Sequence, residues 1–119
     1  MPTKPAEICH INIPAPDLAK AKAFYTKVFG WKYTPMRGMD RYAFWSAGEV
    51  SGGFDADVKP AKKGVTLFLA VADIAAALKK IEFSGGKAVQ AKTAIPGNYG
   101  FMATFLDPNG NGMGLWSKT

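Results

Sequence analysis

The residues best suited to chemistry lie in a short segment near the start of the chain, where polar and apolar side chains alternate: Cys9-His10-Ile11-Asn12. This alternation is typical of a β-strand with two different faces. In such a strand His10 and Asn12 share one face, while Cys9 and Ile11 share the other, apolar face as small core residues. An imidazole beside an amide can hydrogen-bond a ligand, act as a general base, or remain a satisfied core histidine. The segment leaves these roles of His10 open.

A similar strand returns later, so the sequence contains an internal repeat. Sliding the chain along itself places Asp17 on Asp73 without a gap, as expected for a duplicated unit. The same alignment places Thr66 at the position of His10. A site between the two copies would therefore receive one strong metal ligand rather than two. We predict a single domain with copies at residues 7–54 and 65–117, joined by a linker of residues 55–64.

Each copy predicts a strand, a helix and three further strands. Asp17 and Asp73 are suitable N-caps, and glycines follow both apolar helical stripes. The second helix is predicted over residues 74–83, and a Pro- and Gly-containing turn at residues 107–111 separates the last two strands. The predicted strands cover residues 7–13, 31–34, 41–46, 50–54, 65–71, 87–92, 100–106 and 112–116.

Composition narrows the class of protein. A chain of 119 residues suits one compact domain, and its apolar stretches are shorter than a membrane span or a signal peptide requires. The net charge of +6 comes from scattered lysines without an aromatic-lined basic stripe. We therefore expect a cytoplasmic protein that binds neither nucleic acid nor membranes. The positive charge favours anionic small molecules.

Several motifs together resemble the vicinal oxygen chelate superfamily, which includes glyoxalase I, bleomycin-resistance proteins, fosfomycin-resistance enzymes and extradiol dioxygenases. The motifs are His10 with Asp17-Leu18, the helix end Phe24-Tyr25-Thr26-Lys27-Val28-Phe29-Gly30-Trp31, and the turn Asp107-Pro108-Asn109-Gly110-Asn111 before Gly114-Leu115-Trp116. The resemblance implies an α+β fold in which two βαβββ modules form an open, cup-shaped mixed sheet. It also implies a homodimer.

The resemblance further implies where a metal ion would bind, because metalloenzymes of that superfamily use side chains of the first and last strands. The corresponding residues here are His10, Thr66, Gly52 and Gly114. Catalytic zinc or iron usually needs at least three N, S or carboxylate ligands. We therefore expect no metal cofactor. The alternative is a metal-dependent lyase, isomerase or dioxygenase in which His10 is assisted by Asn12 or Glu49.

The function predicted from these observations is binding of a small molecule in the cup between the modules. If the last strands alternate like the first strands, aromatic and polar side chains share one cavity, and glycines form its floor. Such walls suit a flat, partly aromatic, anionic ligand, whereas tight packing without a ligand is the alternative. The predicted ligand-binding residues are His10, Asn12, Gly52, Phe54, Thr66, Phe68, Gly114 and Trp116.

Overall fold

The computed structural model describes residue 5 and residues 8–119. Within this part of the chain, the order of strand, helix and three strands occurs twice. Module 1 comprises β1 (Ile11–Pro14), α1 (Leu18–Phe29), β2 (Lys32–Pro35), β3 (Tyr42–Ala47) and β4 (Val50–Asp55). Module 2 comprises β5 (Phe68–Ala70), α2 (Ile74–Phe83), β6 (Lys87–Ala94), β7 (Phe101–Leu106) and β8 (Gly112–Ser117).

Each module forms a mixed four-stranded sheet with the same strand order. Sheet 1 has the order β1-β4-β3-β2, and sheet 2 has the order β5-β8-β7-β6. In both sheets the first strand runs parallel to the last strand of its module, and the other neighbours are antiparallel. This topology confirms the predicted α+β fold of two βαβββ modules.

Both helices begin at their predicted caps. Asp17 Oδ1 accepts a hydrogen bond from the backbone N–H of Lys20 at 3.0 Å, and Asp73 Oδ1 accepts one from Ala76 at 3.1 Å. Each carboxylate thereby satisfies a donor that the first helical turn leaves unpaired. Gly30 ends α1 in the left-handed conformation, with a φ of 69°. Within the described chain, neither helix has the length and apolar character needed to span a membrane.

The two modules share one hydrophobic core on the helix-facing side of the sheets. Phe24 and Phe29 of α1 contact Phe105 of β7, with ring centroids 6.1 and 5.9 Å apart. Ile81 of α2 is fully buried in the same cluster. Because both helices bury their apolar stripes in this cluster, each module removes apolar surface of the other from water.

A polar network at the turn between β7 and β8 also joins the modules. The buried Asp107 carboxylate accepts hydrogen bonds from Tyr25 Oη and from Asn111 Nδ2, both at 2.8 Å. The same Asn111 nitrogen donates to the Pro14 carbonyl at 2.6 Å. Asn109 exchanges two hydrogen bonds with the backbone of the α1 N-cap residue. The predicted turn therefore holds the entrance of the first helix.

Three expectations about the first strands are wrong. β1 begins at Ile11 rather than at residue 7, which itself lies outside the described residues, and β5 covers only Phe68–Ala70 rather than residues 65–71. Cys9, expected in the core, is exposed. The reason is that Cys9 precedes the paired part of β1, so no ladder turns its side chain toward the helix.

Candidate functional site

We call the surface of each sheet that points away from the helices its open face. The register of β1 and β4 decides which residues reach the open face of sheet 1. Ile13 pairs with Phe54, and both side chains are buried. The Phe54 ring packs on Tyr25 of α1, with centroids 5.4 Å apart. Gly52 pairs with Ile11 and lies on the same side. The prediction that Gly52 and Phe54 face the ligand cavity is therefore wrong, because a register one residue away from the expected one exchanges the two faces.

Gly53, rather than Gly52, lies beside Asn12 on the open face. Asn12 and Gly53 pair across the parallel ladder. A methyl group at Gly53 would clash with the Tyr42 hydroxyl and would stand 2.8 Å from Asn12 Oδ1. The missing side chain therefore lets Tyr42 lie across β4 and reach Asn12.

His10, Asn12 and Tyr42 form a hydrogen-bonded group on this face, which we call the polar cluster. His10 Nε2 lies 2.9 Å from Asn12 Oδ1 and 2.8 Å from Tyr42 Oη. The Tyr42 hydroxyl donates to Asn12 Oδ1 at 2.7 Å. Phe44 packs edge-on against the Tyr42 ring, with centroids 5.5 Å apart. The cluster therefore places three polar side chains beside an aromatic ring.

The amide of Asn12 determines which nitrogen of His10 carries the proton. An amide oxygen only accepts hydrogen bonds, so the contact between Oδ1 and Nε2 requires a proton on Nε2. Neutral His10 then keeps its lone pair on Nδ1. The cluster's own hydrogen bonds leave this lone pair and the Nδ2 N–H groups of Asn12 available to another molecule.

The electrostatic environment keeps the Tyr42 hydroxyl protonated. Partial burial raises the pKa of Tyr42 above its ordinary value of 10.0, and the negative charge of Asp55 raises this pKa further. Asp55 is the cross-strand neighbour of Tyr42 in β4. At neutral pH Tyr42 therefore acts as a hydrogen-bond donor.

The open face of sheet 2 carries an aromatic surface. Phe68 pairs with Gly114, and a methyl group at Gly114 would stand 2.5 Å from the Phe68 ring. Trp116 Nε1 donates to the Tyr99 carbonyl at 2.8 Å, and Gly100 has no side chain that would displace the indole. Phe68 is 53% exposed and Trp116 is 37% exposed. Both rings are therefore held in place and open to contact.

A cleft of about 590 Å³ lies between the modules. On the side of module 1 its wall includes Trp31 and Trp45, whose rings stack with centroids 4.3 Å apart. Thr66 and Phe68 line it on the side of module 2. The other lining residues are Ile11, Phe29, Ala47, Val50, Leu67, Leu69 and Ala70. This wall is mostly apolar and partly aromatic, as in sites for small organic ligands.

The predicted site residues thus lie in several places rather than in one cavity. The polar cluster contains His10 and Asn12, the open face of sheet 2 contains Phe68, Gly114 and Trp116, the cleft wall contains Thr66 and Phe68, and Gly52 and Phe54 lie on the helix side. The sequence analysis missed Tyr42, Gly53, Trp31 and Trp45. Alternation within residues 41–46 does separate Tyr42 from Trp45, but only the partner strands decide which face is open.

The positions at which the superfamily resemblance places metal ligands do not fit a metal ion. The register makes Gly53 the equivalent of Gly114, since they pair with equivalent residues of β1 and β5. These glycines together with Thr66 leave His10 as the one strong donor of the set. Across residue 5 and residues 8–119, no group of three or more His, Cys, Asp and Glu side chains could hold a metal ion. No metal-dependent step is therefore assigned to these residues.

Comparison with known proteins identifies the family. The sequence profile described as Glyoxalase/Bleomycin resistance protein/Dioxygenase superfamily matches residues 7–115. The chain belongs to this superfamily, which confirms the resemblance inferred from its sequence motifs.

Two curated relatives match most of this chain. CFP32 of Mycobacterium tuberculosis, whose name proposes a glyoxylase, is 28% identical over 114 residues, which cover 89% of this chain and 43% of CFP32. The anthracycline biosynthesis protein DnrV of Streptomyces peucetius is 29% identical over 127 residues, covering 90% of this chain and 45% of DnrV. The chain thus spans less than half the length of these two relatives.

Solved structures share the fold at lower sequence identity. A glyoxalase/bleomycin resistance protein/dioxygenase family enzyme from Burkholderia phytofirmans PsJN superposes with a TM-score of 0.80 at 18% identity, covering 96% of this chain and 100% of that enzyme. TnmS3, an antibiotic binding protein from Streptomyces sp. CB03234, superposes with a TM-score of 0.73 at 22% identity, covering 96% of this chain and 97% of TnmS3. Both similarities establish the common architecture.

Proposed function

We propose that this chain binds a small, flat, partly aromatic molecule in the cleft between its modules. The observation that supports the proposal most directly is the cleft wall, in which Trp31, Trp45 and Phe68 surround a volume of about 590 Å³ together with aliphatic side chains. Sites for small organic ligands typically have volumes of about 300–1,000 Å³ and mostly apolar walls. The cleft therefore suits a ligand the size of a drug molecule.

The aromatic side chains account for the expected affinity. A well-placed aromatic contact contributes about 0.5–1.5 kcal/mol beyond the burial of its surface. The stack of Trp31 on Trp45 holds the Trp31 ring in place, so a ligand loses little free energy in ordering it. The net charge of +6 adds a long-range attraction for anionic ligands. We expect micromolar affinity for a flat anion.

The names of two related proteins support the same class of ligand. TnmS3 is described as an antibiotic binding protein, and DnrV as an anthracycline biosynthesis protein. Anthracyclines are flat molecules with fused aromatic rings. We infer that the cleft of this chain takes a molecule of similar shape.

Titration with anthraquinone-2-sulfonate, followed by tryptophan fluorescence, tests this proposal. We expect saturable quenching, because Trp31 and Trp45 both line the cleft. Phe68→Ala removes a ring from the wall and weakens binding by about tenfold. Phe83→Ala is the matched control, because Phe83 is 86% exposed and lies outside the cleft wall. Equal affinities of the two variants would contradict binding in the cleft.

We also propose that the ligand is bound without a catalytic metal ion. The glycines at the two equivalent last-strand positions support this proposal, because the Tyr42 and Phe68 rings fill the space beside them. Elemental analysis of the purified protein should find far less than one transition-metal ion per chain. A stoichiometric ion that is lost in His10→Ala would instead favour a metal-dependent lyase, isomerase or dioxygenase.

We propose a homodimer as the state in solution. Phe44, Phe68 and Trp116 are 38%, 53% and 37% exposed on the open faces, and covering such surface gains about 25 cal/mol per Å². A second copy can cover these rings and the sheet edges together. Light scattering at micromolar concentration should give twice the chain mass of 12.8 kDa. A mass of one chain would contradict this proposal.

We propose a cytoplasmic location. Cys9 is the single cysteine of the chain and is exposed, and a free surface thiol is typical of a reducing compartment. Fractionation of the source cells should place the protein with cytoplasmic markers, and recovery among secreted proteins would contradict this proposal.

A further inference from the structure

The polar cluster has hydrogen-bonding capacity that its own contacts do not use. Asn12 Oδ1 accepts from both of its neighbours, at 2.7 Å from Tyr42 Oη and 2.9 Å from His10 Nε2. The unused groups are an acceptor, His10 Nδ1, and the donors on Asn12 Nδ2. Each of these atoms is one ring or one amide group away from the shared contact. A single small ligand group can therefore reach both.

We propose that the polar cluster is a recognition site for a neutral aromatic carboxamide. The ligand carbonyl accepts from Asn12 Nδ2, and the ligand N–H donates to His10 Nδ1. Phe44, which is 38% exposed and packs on Tyr42, offers an apolar surface to the ligand ring. The cluster residues are not part of the cleft wall, so this site is additional to the one in the proposed function.

The charges near the cluster favour a neutral ligand. Asp55 lies on the same face as Tyr42, which is its cross-strand neighbour, and its carboxylate repels a second negative charge. A carboxylate ligand also lacks the proton that the Nδ1 lone pair of His10 requires. A carboxamide has both the acceptor and the donor without a charge.

Tyr42 acts in this site as a positioning residue. Its hydroxyl donates to Asn12 Oδ1 and lies against His10 Nε2, so it holds both the amide orientation and the imidazole tautomer. Its own position depends on Gly53, where any side chain would collide with the hydroxyl. Removal of the hydroxyl should therefore change the tautomer of His10 as well as ligand affinity.

The single histidine of the chain makes this proposal testable by NMR, because the imidazole ¹⁵N and ¹H signals belong to His10 alone. At about pH 8, where an ordinary histidine is neutral, the free protein should show the Nε2–H tautomer. Benzamide should shift the His10 signals saturably at millimolar concentration, as expected for a fragment-sized ligand. N,N-dimethylbenzamide, which has no N–H, and benzoate should leave them unchanged.

Two variants separate recognition from a merely structural role. Tyr42→Phe should give mixed tautomers and weaken benzamide binding by about fivefold, the effect of losing one hydrogen bond. Tyr33→Phe is the matched control and should change neither, because Tyr33 pairs with buried Trp45 on the helix side of sheet 1.

Three outcomes would overturn the proposal: an Nδ1–H tautomer in the wild-type protein, equal shifts with N,N-dimethylbenzamide, or unchanged benzamide binding in Tyr42→Phe. Quenching by anthraquinone-2-sulfonate reports on the cleft separately, and Tyr42→Phe should leave it unchanged. Failure of either site is therefore distinguishable from failure of the other.

Discussion

Tyr25→Phe tests the hydrogen-bond network that joins the two modules. Tyr25 is 1% exposed and donates to the Asp107 carboxylate, which is 4% exposed, at 2.8 Å. A hydrogen bond to a charged group contributes about 1.5–3 kcal/mol to stability. Three other donors, from the backbone of Asn109 and the backbone and side chain of Asn111, remain on Asp107 in this variant. We therefore expect a loss near the lower end of the range, about 2 kcal/mol of unfolding free energy.

Urea unfolding followed by circular dichroism measures this loss directly. The midpoint should fall without a change in slope, because the surface exposed on unfolding is nearly the same. In thermal unfolding, the same loss should lower Tm by about 8 °C for a domain of this size. Tyr33→Phe is the control, because the Tyr33 hydroxyl takes no part in the Asp107 network and its removal should change stability by less than about 0.5 kcal/mol.

Asp107→Ala provides the second half of the test. This variant removes the acceptor of four hydrogen bonds and leaves the Tyr25 hydroxyl buried, so it should cost about 4 kcal/mol or more. In Asp107→Ala, the further change Tyr25→Phe should cost nothing, because the hydroxyl no longer has its partner. Equal stability of Tyr25→Phe and Tyr33→Phe, or a smaller loss in Asp107→Ala than in Tyr25→Phe, would refute this reasoning.

Further predictions concern pH, close packing and capping. Burial, with the charge and hydrogen bond of Asp107, raises the pKa of Tyr25 well above 10.0. The unfolded chain therefore loses this proton first, so stability is full below pH 10.0 and falls above it; urea midpoints should fall less steeply with alkaline pH in Tyr25→Phe. Gly52→Ala, which drives a methyl group into the Ile11 backbone, should cost about 3 kcal/mol or more, against about 1 kcal/mol for Gly114→Ala, which displaces only an exposed ring; thermal unfolding would show the difference. Asp73→Ala should cost about 1 kcal/mol in the same assay through loss of the α2 cap, and an unchanged Tm would contradict that role.

Local signals in the sequence were sufficient to predict the helices and the order of the elements. α2 has its predicted bounds, Ile74–Phe83, because its Asp73 cap and apolar stripe are features of neighbouring residues. The length of β5 was not predictable in this way. Residues 65–71 are suited to a strand, but their partner β8 pairs only with Phe68–Ala70, and pairing is a property of the fold rather than of the segment.

The site was predictable in part for the same reason. His10 and Asn12 were recognisable as polar residues within an apolar strand. Gly52 and Gly53 carry no side chain from which a face could be assigned, so their orientation depended on the burial of Phe54 against α1. The Tyr42 hydroxyl meets His10 across 32 positions of the chain, and no local pattern indicates such a contact.

The network at Asp107 also has a consequence for how the chain folds during synthesis. Asn111 Nδ2 binds the Pro14 carbonyl across 97 positions, and Asn109 binds the α1 N-cap residue across 92. Module 1 leaves the ribosome first, yet the entrance of its helix acquires these partners only after the final hairpin has emerged. Contacts of such long sequence separation delay folding. Although its sequence is duplicated, the chain therefore does not consist of two independently completed units, and its first half matures only when its last strand arrives.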